Sequence, residues 1–341
     1  MGTREGAAKT LTETVATHYS GKRVLITGGL GFIGSNLARR LVAMGARVLL
    51  VDSLIPAYGG NLFNIDGLEQ QLTVNIADVR DQYSMNYLVQ NQDIMFNLAG
   101  TLSHVDSMVD PFTDLEINCR SQLSILESCR HHNPDIRIVF AGTRGQYGKA
   151  RSLPVDEQHP LHPADVNGIN NNAGEAYHIL YYEVYGLRAT SLRLTNTYGP
   201  RHQMHHPRQG IINWFIRQAI EGDEITIFGD GKQVRDTNFV EDVVDAFLLA
   251  GANEQAHGET FNLGGEPMNL LDLVALIGTI TENLRWRCVP YPESAKAIEV
   301  GDYIADHSKA EHTLGWQPSV AIRDGLERTI AFYREHREHY W

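Results

Sequence analysis

The sequence predicts an α/β protein: a Rossmann-type doubly wound parallel sheet followed by a smaller C-terminal lobe. Three observations predict it. Short apolar runs alternate with helical patterns from Lys22 to about Leu194, a glycine-rich turn joins the first run to the first helix, and the rhythm loosens after Pro200.

In chain order, the strand candidates are Arg23–Thr27, Arg47–Asp52, Leu72–Asn75, Ile94–Leu98, Ile136–Gly142 and Ala189–Leu194. They are short, apolar and bounded by turn residues, as strands covered on both faces are. Between them run helical patterns such as Ile33–Met44, stopped by Gly45, and Pro111–His132, with proline in its first turn. Beyond Pro200, Gly229-Asp230-Gly231 and Gly264-Gly265 separate shorter elements, including helices over Val240–Ala252 and Leu270–Thr281. The expected organisation is a polar extension over residues 1–20, a nucleotide-binding domain over 21–200, and a mainly substrate-binding lobe over 201–341 that exchanges segments with it.

Composition narrows the function. The chain has 341 residues, 43% of them apolar, so it can bury a full core. Its formal charge of −12 argues against a nucleic-acid surface, which needs a basic excess. No apolar run reaches the roughly 20 residues of a membrane span, and the start carries no hydrophobic signal block. Three cysteines cannot frame a disulfide scaffold, and the cytoplasm is the expected compartment. Cys119 and Cys129 fall with Leu115 and Leu126 on one helical face, the pattern of buried small hydrophobes.

The strand Val24-Leu25-Ile26-Thr27 runs into Gly28-Gly29-Leu30-Gly31-Phe32-Ile33-Gly34 and then a helix. Gly28, Gly31 and Gly34 suit a tight turn, close approach of a pyrophosphate, and close packing of helix on strand. The N–H groups that open this helix, around Phe32 and Ile33, face the phosphates. The second strand ends in Asp52, which can accept both adenosine ribose hydroxyls and repel a 2′-phosphate, so NAD is favoured over NADP.

TGGLGFIG resembles the fingerprint of the extended short-chain dehydrogenase/reductase family, which includes nucleotide-sugar epimerases, dehydratases and decarboxylases. The resemblance runs from about Gly21 to Tyr333. It implies that Asp78 and Val79 contact adenine, that Leu98, Ala99 and Gly100 line the cofactor, and that Asn118 stands behind them. AGTRGQYG implies that Thr143 hydrogen-bonds the reacting sugar hydroxyl, with Tyr147 completing the motif. SHVDS is similar to a segment that faces the substrate in sugar-nucleotide dehydratases, which brings in Ser103 and His104. LRLTNTYGPR and GDGKQVRDTNF resemble blocks that contact the nucleotide, and imply Asn196 and Arg235 for the diphosphate. The cluster His202, His205 and His206 lacks the carboxylate or cysteine spacing of a metal site, so no metal is expected.

One family feature is missing. Members carry Tyr-x-x-x-Lys at the start of the helix after the threonine segment, and here Asn167 and Asn171 occupy those positions. The helix itself is intact, with Ala173, Ala176, Tyr177, Leu180 and Val184 on one apolar face. Asparagine has no usable proton equilibrium near neutral pH. The substitute candidates are His104, Tyr147, Tyr177 and Asp165, or Asn167 orienting a water. The resemblance implies an NAD-dependent nucleotide-sugar epimerase. The alternatives are a dehydratase or decarboxylase of the same family, or a protein that binds NAD and nucleotide-sugar without turnover. Dehydratases carry an Asp-Glu pair after the threonine, where this chain has Arg144-Gly145. A homodimer is expected through the Pro111–His132 and Asn171–Tyr185 segments, whose outer faces carry Leu123, Ile179 and Tyr182.

Overall fold

The computed structural model describes residues 14–282 and 284–341. Its first six strands are β1 Arg23–Thr27, β2 Arg47–Asp52, β3 Leu72–Ile76, β4 Ile94–Asn97, β5 Arg137–Thr143 and β6 Arg188–Leu194. The first two coincide with the sequence prediction, β3, β4 and β6 differ by one residue at one end, and β5 is shifted by one residue at both. Then come β7 Asn196–Tyr198, β8 Glu224–Phe228, β9 Val234–Phe239, β10 Thr260–Asn262, β11 Glu266–Asn269 and β12 Arg285–Val289.

The main sheet has seven strands in the order β10-β6-β5-β4-β1-β2-β3, every pair parallel. Val24, Leu25 and Ile26 are all fully buried, because helices cover both faces and no side of β1 meets water. The strand order reverses between β1 and β4, which opens a crevice at their carboxyl ends.

Helix α1 (Phe32–Ala43) buries Leu37, Ala38 and Leu41, and the chain turns out of it at Gly45, whose φ is +78°. The long helical pattern from Pro111 divides into α3 (Pro111–Leu115), a π-helical turn over Glu116–Arg120, and α4 (Ser121–His132). Such a widened turn is common at functional sites. Just before it, α2 (His104–Val109) is capped by the Ser103 hydroxyl, which accepts from the Asp106 amide. Helix α5 (Val166–Tyr185) is capped by Asp165, which accepts from the Gly168 amide, and ends at Gly186 with φ +71°.

Helix α5 reverses the expected orientation of its faces. Ala176, Leu180 and Val184 point to solvent, and the buried side is Asn167, Asn170, Asn171, Gly174, Glu175, His178 and Tyr181. Polar groups can face inward here because each finds a partner. Leu123 and Ile179 are half-buried, and the exposed apolar residues beside α5 are Phe112 and Leu115 of α3. Cys129 and Leu126 are buried as expected, but Leu115 is exposed and Cys119 only half-buried, because the widened turn rotates them off the α4 face.

Residues 14–19 are helical and pack on the sheet, so the chain before Gly21 is not wholly a polar extension. Tyr19 is fully buried and donates its hydroxyl to the Leu248 carbonyl at 2.8 Å. Val15 and Tyr19, one turn apart, supply the apolar face. Residues 1–13 of that extension lie outside the described residues.

The C-terminal lobe holds the three-stranded sheet β11-β9-β7 and the pair β12-β8. Its core includes Phe215, Ile216, Leu273, Ile277, Leu326 and Tyr333. Two segments return to the main sheet: β10 pairs with β6, and α6 (Val240–Ala252) buries Val243 and Phe247 in the first core. Among the described residues no helix is long and apolar enough to cross a membrane.

Candidate active site

A single cavity runs from the glycine loop across the carboxyl ends of β1, β4 and β5 to the second lobe. Every residue expected on the cofactor side, from Gly28 to Asn118, lines it. Gly28 has φ +67°, and a Cβ there would lie 3.0 Å from the Leu98 carbonyl oxygen. A Cβ on Gly34 would collide with the Gly28 carbonyl, so α1 can meet the loop this closely only at glycine. Phe32, Ile33 and Gly34 form the first helical turn, whose N–H groups have no intrahelical partner and suit an anion.

Asp52 ties this loop to the second strand. One carboxylate oxygen accepts from the Leu30 amide at 3.0 Å and the other from the Leu54 amide at 2.8 Å. Burial raises its pKa against those two bonds. Each oxygen keeps a lone pair for a ribose hydroxyl. Asp78 also lines the cavity and is held below the usual carboxylate range by hydrogen bonds from the Arg80 guanidinium. A loop with no room for Cβ atoms, a free helix N-terminus and a carboxylate at the next strand end together fit a dinucleotide.

Asn118 acts through the backbone. Its oxygen accepts from the Thr101 amide at 3.0 Å, and its amide donates to the Thr101 carbonyl at 3.1 Å and hydroxyl at 2.7 Å. It therefore fixes the turn after Gly100 that forms one cavity wall.

On the substrate side, Thr143, His104, Asn167, Asn171 and Asn196 line the cavity. Thr143 Oγ1 accepts from the Gly145 amide at 3.1 Å, and Gln146 Oε1 accepts from the Thr143 amide at 3.0 Å. This reciprocal cap satisfies one lone pair of the hydroxyl and leaves its O–H free to donate. His104 Nδ1 lies 2.6 Å from Asp165 Oδ2, with the imidazole 43% exposed and the carboxylate 5% exposed. Burial pushes the Asp165 pKa up, but the hydrogen bond and charge of His104 outweigh it, helped by the Gly168 amide and Arg144, and the carboxyl sits below its ordinary value. The ring also reaches the threonine segment, since a Cβ on Gly145 would stand 3.1 Å from His104 Cε1. Asn196 donates to the Asp236 carbonyl at 3.1 Å.

Asn167 and Asn171 lie on the cavity wall with their amides engaged. Asn167 Nδ2 donates to the Thr101 carbonyl at 2.8 Å and to Asp114 Oδ2 at 2.9 Å, and Asn171 donates to the Asn167 carbonyl at 2.9 Å. Asp114, which the sequence reading missed, also accepts from the Thr101 hydroxyl, Asn118 and Asn170. The run of asparagines over 170–172 was the available signal for such a network. Both Asn167 amide hydrogens are committed, so it does not orient a water with them.

Four expected residues are elsewhere. Tyr147 is fully buried behind the site, donating to Asn262 Oδ1 at 2.7 Å and accepting from Arg193, and burial raises its pKa to about 12. Ser103 is off the cavity, because its hydroxyl is the α2 cap. Arg235 is buried beneath the loop that follows residue 298, with Nη2 at 2.8 Å from Glu299 Oε1 and Nη1 at 2.7 Å from the Gly301 carbonyl. It does not line the cavity, and its charge is already paired. Tyr177 also lies off the cavity, packed with the core beside β5. Of the histidine cluster, only His202 lines the cavity, and burial pushes its pKa down to about 4. Among the described residues no group of three or more His, Cys, Asp or Glu is placed to hold a metal ion.

Comparison with known proteins gives a consistent pattern. The profile of the NAD dependent epimerase/dehydratase family matches residues 24–264. A UDP-glucose 4-epimerase of Mycolicibacterium smegmatis is 32% identical over 319 residues, covering 92% of this chain and 98% of that protein. A UDP-N-acetyl-alpha-D-glucosaminuronate decarboxylase of Bacillus cytotoxicus is 32% identical over 329 residues, covering 92% and 98%. The crystal structure of a Thermotoga maritima UDP-glucose 4-epimerase with UDP-glucose matches with a TM-score of 0.83 at 30% identity, covering 92% of this chain and 99% of that one.

Proposed function

This chain belongs to the NAD dependent epimerase/dehydratase family, and from that premise we propose that it is a nucleotide-sugar epimerase in which His104, held by Asp165, replaces the missing tyrosine as proton carrier. The observation that carries the reading is the 2.6 Å His104–Asp165 pair, whose imidazole lines the same cavity as Thr143 and the glycine loop.

The glycine loop (Gly28, Gly31, Gly34) and Asp52 would hold NAD, which would supply a reversible hydride acceptor for a sugar ring carbon. The chain's own residues manage the proton and the oxygen. His104 Nε2 takes the proton of the reacting hydroxyl while Asp165 stabilises the imidazolium through Nδ1. The free Thr143 O–H donates to the same oxygen as it becomes a carbonyl, where negative charge gathers. After the ring presents its other face, His104 gives the proton back. Asp165 is fixed as an N-cap, so the imidazole is held from a rigid helix end.

Dehydration is the weaker reading, because Arg144 and Gly145 supply no acid beside Thr143. A homodimer and a cytoplasmic location are part of the proposal. The first is supported by the exposed face formed by Phe112, Leu115, Ile169, Leu180 and Val184, and the second by three free thiols.

The test is to incubate the protein and NAD with a panel of uridine, thymidine, cytidine and guanosine diphosphate sugars and to follow the sugar by proton NMR. Epimer formation that is lost in His104→Gln supports the reading. Turnover that survives both His104→Gln and Thr143→Val overturns the placement of the site. Ligand binding with no conversion at all marks the protein as a binder without turnover.

A further inference from the structure

Arg144 follows Thr143 directly and opens the 3-10 turn Arg144–Tyr147. Among the described residues it is the one lysine or arginine that lines the cavity. Every charged neighbour in this region is already engaged. Arg193 pairs with Glu175, and Arg235 pairs with Glu299. The Asp236 oxygens accept the Gly265 and Ala305 amides. Among the described residues the Arg144 guanidinium has neither an ion pair nor a hydrogen-bond acceptor, and it rests at 5.2 Å over the face of the Tyr303 ring. Burial, together with the charge of Arg235, pushes its pKa down to about 10, so it stays a cation at neutral pH.

A half-buried cation with five N–H donors and no acceptor among the described residues is a poor arrangement in a resting protein and a good one for receiving an anion. Its planar fork suits two oxygens of one carboxylate. The site's other acids do not meet this need: Asp165 is bound to His104, and Asp52 and Asp78 lie on the cofactor side.

We propose that Arg144 reads a carboxylate on the sugar ring, so that the substrate is a nucleotide-linked uronate and not a neutral hexose. This rests on the reading that the cavity holds a nucleotide-sugar with its reacting hydroxyl at Thr143. The two residues are consecutive and both line the cavity where the sugar would lie. Arg235, the residue expected at the diphosphate, is neutralised by Glu299 and lies off the cavity. The same fork chemistry also matches a phosphate, and the experiment separates the two sources.

Isothermal titration of the NAD-loaded protein with UDP, UDP-glucose and UDP-glucuronate, and with the thymidine series, provides the test. Tenfold or tighter binding of the glucuronate than of the glucose ester is expected. In Arg144→Gln that ratio should fall to within about twofold through loss of the glucuronate arm, and Arg144→Lys should keep part of it. Equal weakening of all three ligands in Arg144→Gln would assign the residue to the diphosphate and overturn the proposal. So would a parent protein that binds both sugars equally well. Where the Gln variant does not fold, the parent ratio and the Lys variant decide. Failure of the parent to bind any of these ligands would remove the nucleotide-sugar reading itself, and this proposal with it.

Discussion

Asn167 donates its side-chain amide to Asp114 Oδ2 across 2.9 Å, and so makes the position where the family resemblance implies a catalytic tyrosine part of a buried polar lattice. Asp114 takes side-chain hydrogen bonds from four residues: Thr101, Asn118, Asn167 and Asn170. A carboxylate buried without a cation needs that many donors. Placing a tyrosine at position 167 would therefore remove a support as well as add a phenol.

Asn167→Tyr should gain no activity and should lose about 1–3 kcal/mol of stability, since Asp114 and the Thr101 carbonyl each lose a donor. Adding Asn171→Lys should not rescue it, because the Asn171 amide bond to the Asn167 carbonyl is lost as well. Urea denaturation of both variants reads this directly. A double variant as stable as the parent and faster than it would contradict the expectation.

His104→Gln should lower kcat by about 10²- to 10⁴-fold with little change in KM, the usual loss for a positioned acid–base group. Asp165→Asn should cost less, since asparagine still caps α5 and only the stabilisation of the imidazolium is lost. Steady-state rates of epimer formation measure both. A larger effect in Asp165→Asn than in His104→Gln would place the proton elsewhere.

Asp52→Asn should weaken NAD binding by roughly tenfold, about 1.4 kcal/mol, and narrow the preference over NADP. One of its two backbone bonds, to Leu30 or Leu54, is lost with the second acceptor oxygen. Fluorescence titration with each dinucleotide follows the ratio. Equal affinity of the unmodified protein for both would contradict the role given to Asp52.

Leu180→Glu should convert a dimer to a monomer at micromolar concentration, since it puts a charge into the exposed apolar stripe of α5. Light scattering of parent and variant makes the comparison. A monomeric parent would leave that stripe without the partner proposed for it.

Stability should fall as pH drops from about 6.5 to about 4. His178 and His202 are buried, and desolvation pushes each pKa down to about 4. Between those values the unfolded chain binds the extra protons, so each ring contributes stability that is complete above pH 6.5 and lost on acidification. The full effect is about 3 kcal/mol per ring. Denaturation midpoints across this range should slope upward with pH, and His202→Gln should flatten the slope.

Much of the architecture was legible because it is written locally. The glycine loop, Asp52 and the bounds of β1 and β2 depend on neighbours within a few residues. What was missed depends on distant chain. Arg235 is diverted by Glu299, and Tyr147 by Arg193 and Asn262. Helix α5 misled for a related reason. Ala176, Leu180 and Val184 have the spacing of a core stripe, but the asparagines opposite found buried partners in Asp114 and the Thr101 turn, and the helix rolled its apolar side outward.

The return of α6 and β10 to the first sheet has a consequence for how the chain matures on the ribosome. Strand β6 gains its outer neighbour only when residues 260–262 have emerged, and Tyr19 and Phe96 are covered by Phe247 and its helix. Trp316 then closes the same core, donating its ring nitrogen to the Asp242 carbonyl. A nascent chain of 200 residues thus carries an unsealed sheet edge and bare aromatic rings, the surfaces that chaperones bind. Vectorial folding of the first lobe must wait until Trp316 has left the ribosome.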